Sequence, residues 1–279
     1  MVRDDDLNSS VDYSKGQKRA AHRILVELVI IFTEYEDDIR VVGGWVPDLM
    51  FPNEGHIGSV DVDILINHLT LKDEGYQNMS RILKKNGYRD HPDKYFSFVK
   101  TVEVENIKYD VDVDLLAGMY GGTQQRKRSQ HVQGIKALKA TGGNFAFDFP
   151  AQKVSIEAKR PDGAIDIACV SVVAVVPYII MKTAALGRGK AKDAYDIYFV
   201  LKHYAGGVKG LAREFQIVKD KNIVKNMKEK LLGKFATADH AGPRDVADFM
   251  DLLDQEEEQM VQRDAYEQVQ ALIQEIDRV

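Results

Sequence analysis

The stretch "VVGGWVPDLMFPNEGHIGSVDVDILINH" (Val41–His68) sets two glycines behind an apolar run and then two aspartates, Asp61 and Asp63, inside a second apolar run. Aspartate is depleted in strands and costly to bury unpaired, so the pair needs a compensating partner. Strand side chains alternate between faces at about 3.3 Å per residue, which points Asp61 and Asp63 the same way, roughly 6.6 Å apart. In "KYDVDVDLLAG" the same alternation puts Asp110, Asp112 and Asp114 on one face of another strand, with Val111, Val113 and Leu115 on the opposite one. If the two strands are neighbours, their carboxylates repel one another unless cations neutralise them. Hard oxygen ligands of this kind select Mg2+ or Mn2+. A calcium loop over Asp110–Asp114 is excluded, because Leu115 stands where that loop requires glycine and Gly121 where it requires a bidentate glutamate.

The flanking sequence alternates helix and strand patterns. Residues 14–35, "SKGQKRAAHRILVELVIIFTEY", carry Ala21, Ile24, Leu25, Leu28, Ile31 and Phe32 at helical spacing behind Ser14, a helix-capping residue. A helix-compatible stretch from Leu71 to Lys85 stops at "KNGY", and "YFSFVKTVEVENIKYDVDVDLLAG" reads as paired strands around a turn near Asn106. "KVSIEA" and "AIDIACV" are strand-like, Pro177 suits the first turn of a helix in "VVPYIIMKTAAL", and the chain is helical in pattern from there. The expected fold is α/β (α+β): a mixed sheet flanked by helices, with a mostly helical C-terminal part. The expected division is an N-terminal helical segment over 1–36, a core over 37–160 and a helical domain over 161–279, core and helical domain together enclosing the cleft.

Composition fits a soluble globular chain, with 279 residues, 44% hydrophobic and 29% charged. No run approaches the roughly 20 apolar residues of a membrane span, and "MVRDDDLNSS" lacks the apolar core of a signal peptide, so no membrane partner and a cytoplasmic location are expected. The net charge of −5 hides a basic middle and acidic ends, so whole-chain charge does not identify a partner. The single cysteine, Cys169, excludes an internal disulfide and is expected to be a small buried core residue.

Val42-Gly43-Gly44 followed by Ser59 and Val60-Asp61-Val62-Asp63-Ile64 resembles the signature of the nucleotidyltransferase superfamily, in which a later strand brings a third acid. "MKTAALGRGKAKDAYDIYFVL" is similar to the Lys, Arg, Asp, Asp pattern of its AbiEii-type members, with Lys182, Arg188, Asp193 and Asp196 on it. Studied members of that family include toxins of bacterial toxin–antitoxin pairs. The resemblance, covering about Val41–Leu201, implies transfer of a nucleoside monophosphate from an NTP to a hydroxyl acceptor, RNA and tRNA above all, with an antitoxin protein as partner. It implies Asp61, Asp63 and Asp114 as catalytic ligands of two Mg2+ or Mn2+ ions. By alternation alone Asp112 is placed as well as Asp114. Gly43, Gly44 and Ser59 would grip the phosphates, with Lys182 and Arg188 as further nucleotide-binding residues.

Several of these residues have a plainer alternative. Lys182 reaches the triphosphate or is an exposed helix lysine; Asp193 and Asp196 orient Lys182 or Arg188, or only cap and solubilise a helix. Trp45 stacks on a base or packs in the core. The basic segment with Arg126, Lys127, Arg128, His131, Lys136 and Lys139 fits an acceptor's phosphates or is a solvated face. Transfer to a small hydroxyl compound such as an aminoglycoside, and a non-catalytic module that binds nucleotide or protein, are the two competing functions.

Overall fold

In the computed structural model, which describes residue 7 and residues 9–67, 69–71, 73–118, 129–132 and 135–279, the chain forms two compact units. The first comprises Tyr13–Met50 and Gly58–Ala174; the second comprises Val175–Val279 with Phe51–Ile57 and the described residues before Tyr13. The fold is mixed α/β, a mixed sheet flanked by helices with a helical C-terminal part.

The first unit opens with α1 (Lys15–Ile31), capped by the Ser14 hydroxyl, which accepts the Gln17 N–H at 3.1 Å. Ala20, Ala21, Ile24, Leu25 and Leu28 form its buried stripe. Glu27 lies on that same stripe and is held by the Lys100 ammonium at 2.7 Å and the Tyr88 hydroxyl at 2.6 Å. These bonds satisfy a carboxylate that would otherwise be buried unpaired. After it come β1 (Ile39–Val42), α2 (Trp45–Met50), β2 (Val62–Ile66), α3 (Asp73–Lys85), β3 (Arg89–Asp90), β4 (Ser97–Val104), β5 (Ile107–Gly118), β6 (Ser129–Val132), β7 (Ile135–Ala140), β8 (Gln152–Lys159) and β9 (Ile165–Val172).

The strands lie in the order β3-β4-β5-β2-β1-β9-β8, with β7 on the end of β5 and β6 on β7. Pairing is parallel for β2–β5, β1–β9 and β5–β7 and antiparallel elsewhere. The β4–β5 hairpin turns at Glu105 and Asn106, both at positive φ, as a two-residue connection between right-twisted strands requires. β5 is central because it is long: β4 pairs with residues 107–114, and β2 with residues 113–117. Its Val111, Val113 and Leu115 are buried on one face, which leaves Asp110, Asp112 and Asp114 on the other.

The units divide at Ala174, later than the expected boundary at 160, because Ile165–Val172 is a sheet strand that pairs with β8 and lies beside β1. Cys169 is exposed, which corrects the expected core position. It shares the solvent face of β9 with the exposed Ile165 and Ile167, while Ala168, Val170 and Val172 take the buried face. Alternation put the small thiol outside.

The second unit contains α4 (Val175–Ala185), α5 (Ala191–His203), α6 (Gly207–Phe215), α7 (Asn222–Lys234), α8 (Ala241–Met250) and α9 (Gln255–Arg278). Pro177 sits in the first turn of α4. α5, buried nearly all round, packs against α4, α6, α8 and α9. Asp254 caps α9 by accepting the Glu257 N–H at 2.9 Å, and Glu256–Glu258 complement its N-terminal dipole. Among the described residues no helix is long and apolar enough to cross a membrane.

Candidate functional site

Parallel pairing of β2 with β5 makes Asp63 and Asp114 direct register partners, and antiparallel pairing of β1 with β2 sets Val42 opposite Asp63. Register partners share a face, so the two side chains project from the same face of neighbouring strands. The chain then turns at Gly43 with φ +71°, and a Cβ there would stand 1.9 Å from Asp63 Oδ2. Only glycine lets the carboxylate lie against the turn.

Asp61 precedes β2 rather than belonging to it, because the strand begins at Val62. Its geometry is set by side-chain bonds instead of the pleat expected for "VDVDI". The Ser59 hydroxyl donates to Asp61 Oδ1 at 2.5 Å, and the Trp45 indole N–H donates to the Asp61 carbonyl at 2.7 Å. Trp45 is 1% exposed, so it is a core residue that pins the approach to the strand and not a base-stacking platform. Ser59 is buried, and its hydroxyl is bonded to Asp61.

Asp114 is largely buried and accepts a hydrogen bond from Ser97, its register partner on β4, while its Oδ1 is buried without a hydrogen bond. Burial pushes the Asp114 carboxyl up to about 6; the Asp61 charge adds to the rise, and the Ser97 bond and the Lys94 ammonium oppose it. Asp112 also has a buried Oδ1 without a hydrogen bond, but its other oxygen is engaged differently. Its Oδ2 takes the Lys94 ammonium at 2.9 Å and lies 3.6 Å from His91 Nε2. Register and partners therefore separate the two acids that alternation leaves equivalent: Asp114 adjoins Asp63, and Asp112 is an ion-pair partner. Asp110, farther along, bonds Thr101 and faces Arg89 at 3.7 Å.

Lys94 and His91 carry no sequence pattern that marks them. They lie on the connection from β3 to β4, whose position becomes visible only when β4 pairs with β5. Among the described residues no three His, Cys, Asp or Glu side chains stand ready to enclose a metal ion. Ser59 and Lys94 take oxygens of Asp61 and Asp112. The donor set still suits a hard divalent cation: carboxylate oxygens only, with buried oxygens that lack a hydrogen bond on Asp112 and Asp114, and burial that penalises the Asp114 charge.

In the second unit, Lys182 on α4 is buried, its ammonium 2.8 Å from Asp193 and 2.7 Å from Asp196. Burial alone would lower its pKa; the charges of Asp193 and Asp196 outweigh burial and hold it well above the ordinary value. It is thus neither an exposed helix lysine nor an uncommitted point charge for a triphosphate. Asp193 also takes Arg188 at 3.1 Å, and Asp196 takes Lys192 at 2.8 Å. His56 completes the group, with Nε2 at 3.0 Å from Asp196 Oδ1 and its ring stacked on Tyr195. Burial would raise the Asp193 and Asp196 carboxyls, yet both are lowered, chiefly by Lys182. Asp193 and Asp196 are the anions of a buried ionic network, not solubilising residues. His56 is missed from sequence because it lies in an irregular segment over a hundred residues from its partner. Arg126, Lys127 and Arg128 lie outside the described residues.

Comparison with protein-family models, with curated proteins and with solved structures finds no match to this chain.

Proposed function

We propose that the protein is a metal-dependent nucleotidyltransferase, which moves a nucleoside monophosphate from an NTP to a hydroxyl acceptor, with RNA, and tRNA in particular, as the acceptor class. The observation that supports it most is the pairing of Asp63 with Asp114 on parallel neighbouring strands beside the Gly43 turn. Asp61, Asp63 and Asp114 would hold Mg2+ or Mn2+. When bound, the cation supplies the positive charge that stabilises the reacting phosphates and the departing pyrophosphate.

The chain's own residues do the positioning. Ser59 and Trp45 fix the side chain and the backbone of Asp61, Ser97 orients Asp114, and Gly43 leaves room for Asp63. The Gly43–Gly44 turn presents backbone without side chains where phosphates would approach the carboxylates. Lys182, Asp193 and Asp196 build the second unit from within. The resemblance to AbiEii-type proteins favours RNA as acceptor and a role as the toxin of a toxin–antitoxin pair.

The test is incubation with each α-labelled NTP, Mg2+ and total RNA. Label should enter RNA of tRNA size with the wild type and not with Asp63→Asn. Label passing only to a small hydroxyl compound would move the acceptor to that class, and no transfer from any NTP to either acceptor would overturn the reading.

A further inference from the structure

The acid face already contains a cation. Lys94 sits in a short connection that is fixed on every side. Asp93 and Lys94 both donate their backbone N–H to His91 Nδ1, each at 3.0 Å, and the two N–H groups need a lone pair there, so the imidazole proton is on Nε2. That edge of the ring faces Asp112. The Ser97 N–H bonds the Lys94 carbonyl at 3.1 Å, the His91 N–H bonds the Ser97 carbonyl at 3.0 Å, and the Leu115 N–H of β5 bonds the Phe96 carbonyl at 3.0 Å. The connection is thereby tied to the strand that bears Asp112 and Asp114.

From this base the Lys94 side chain, 25% exposed, reaches Asp112, 13% exposed, at 2.9 Å. Its ammonium also feels the charges of Asp114 and Asp61, and the carboxylates hold its pKa raised although burial opposes them. An exposed lysine pair would be loosely held and weakly stabilising. Here the backbone of the connection is fixed by hydrogen bonds before the side chain extends.

We propose that Lys94 is the built-in counter-ion of the acid face: it neutralises the carboxylates when no metal is bound, competes with a divalent cation for them, and so sets the metal concentration at which the site fills. The inference rests on the carboxylates being a metal site, as the proposed function requires. Its physical basis is simple. A positive charge a few ångströms from a dication lowers that ion's affinity, and removing the charge restores it by a factor on the order of ten or more.

The experiment measures Mn2+ binding calorimetrically to the metal-free full chain, as wild type, Lys94→Met and Lys94→Arg, with thermal unfolding of each protein with and without Mn2+. Lys94→Met should bind Mn2+ about tenfold more tightly than wild type, and its melting temperature should be lowered without metal and recovered by metal. Lys94→Arg, which keeps the charge, should bind like wild type. Should Lys94→Met not fold, Lys94→Gln retains a donor for Asp112 and should show the same tightening. Equal or weaker Mn2+ binding by the neutral variants, with wild type binding, would overturn the role of Lys94 and leave the metal site standing. No Mn2+ binding by any of the proteins at millimolar concentration would overturn both.

Discussion

The Asp63 carboxylate lies against the Cα of Gly43, so that a methyl group at residue 43 would overlap Asp63 Oδ2. One side of the acid pair is thus defined by a glycine turn and the other by Asp114 on the neighbouring strand.

Gly43→Ala should therefore lower stability by about 2–4 kcal/mol, combining positive-φ strain with overpacking, and should weaken Mn2+ binding. Gly55→Ala is the control, because φ is +78° there and nothing stands within 4 Å of the added methyl. Its cost should be about 1 kcal/mol. Denaturant unfolding of both variants decides the matter; equal losses would mean that Asp63 does not crowd residue 43.

Asp63→Asn keeps the shape and removes one charge. Transfer should fall at least about 100-fold while far-UV circular dichroism is unchanged, and metal-free stability should hold or rise as repulsion with Asp114 is relieved. An unfolded variant would make Asp63 a structural residue.

The pH dependence of stability follows from Asp114, whose folded-state pKa is raised from 3.8 to about 6. The folded protein binds that proton more tightly than the unfolded chain, so metal-free stability should rise as pH falls from about 7 through 6 towards 4. The contribution is at most on the order of 3 kcal/mol at 1.36 kcal/mol per unit. Melting temperatures at pH 5 and pH 7 should show this rise in the wild type and a smaller one in Asp114→Asn; identical slopes would refute the assignment.

Lys182→Met leaves Asp193 and Asp196 without their shared cation. Breaking a buried ion pair in this way costs about 3–5 kcal/mol. Arg188→Ala removes a guanidinium that is 59% exposed and should cost no more than about 1 kcal/mol. An active-site role for Lys182 without a structural one would instead leave the unfolding midpoint unchanged and abolish transfer.

The alternating acids of β5, the capped α1, the hairpin at Asn106 and the helical second half were legible in sequence because each is a local pattern. Asp63 was legible for the same reason: an acid in an apolar run demands a cause. Register was not. Nothing local tells Asp112 from Asp114; the parallel alignment of β2 with β5 does. Lys94, His91 and His56 sit in irregular segments, and their partners are fixed by tertiary pairing. The burial of Lys182 is not legible either, because a lysine on an apolar helix is ordinarily solvated and only the packing of α4 on α5 places two carboxylates beside it. Cys169 went the other way, since the solvent face of β9 is itself apolar.

The central claim is that Asp63 and Asp114 together bind a divalent cation. The most direct measurement is anomalous X-ray scattering from crystals of the full chain soaked in Mn2+. The account predicts a manganese peak between the two side chains, within about 2.0–2.3 Å of an oxygen from each, that disappears in Asp63→Asn. A peak elsewhere on the protein, or none at millimolar Mn2+, would contradict it.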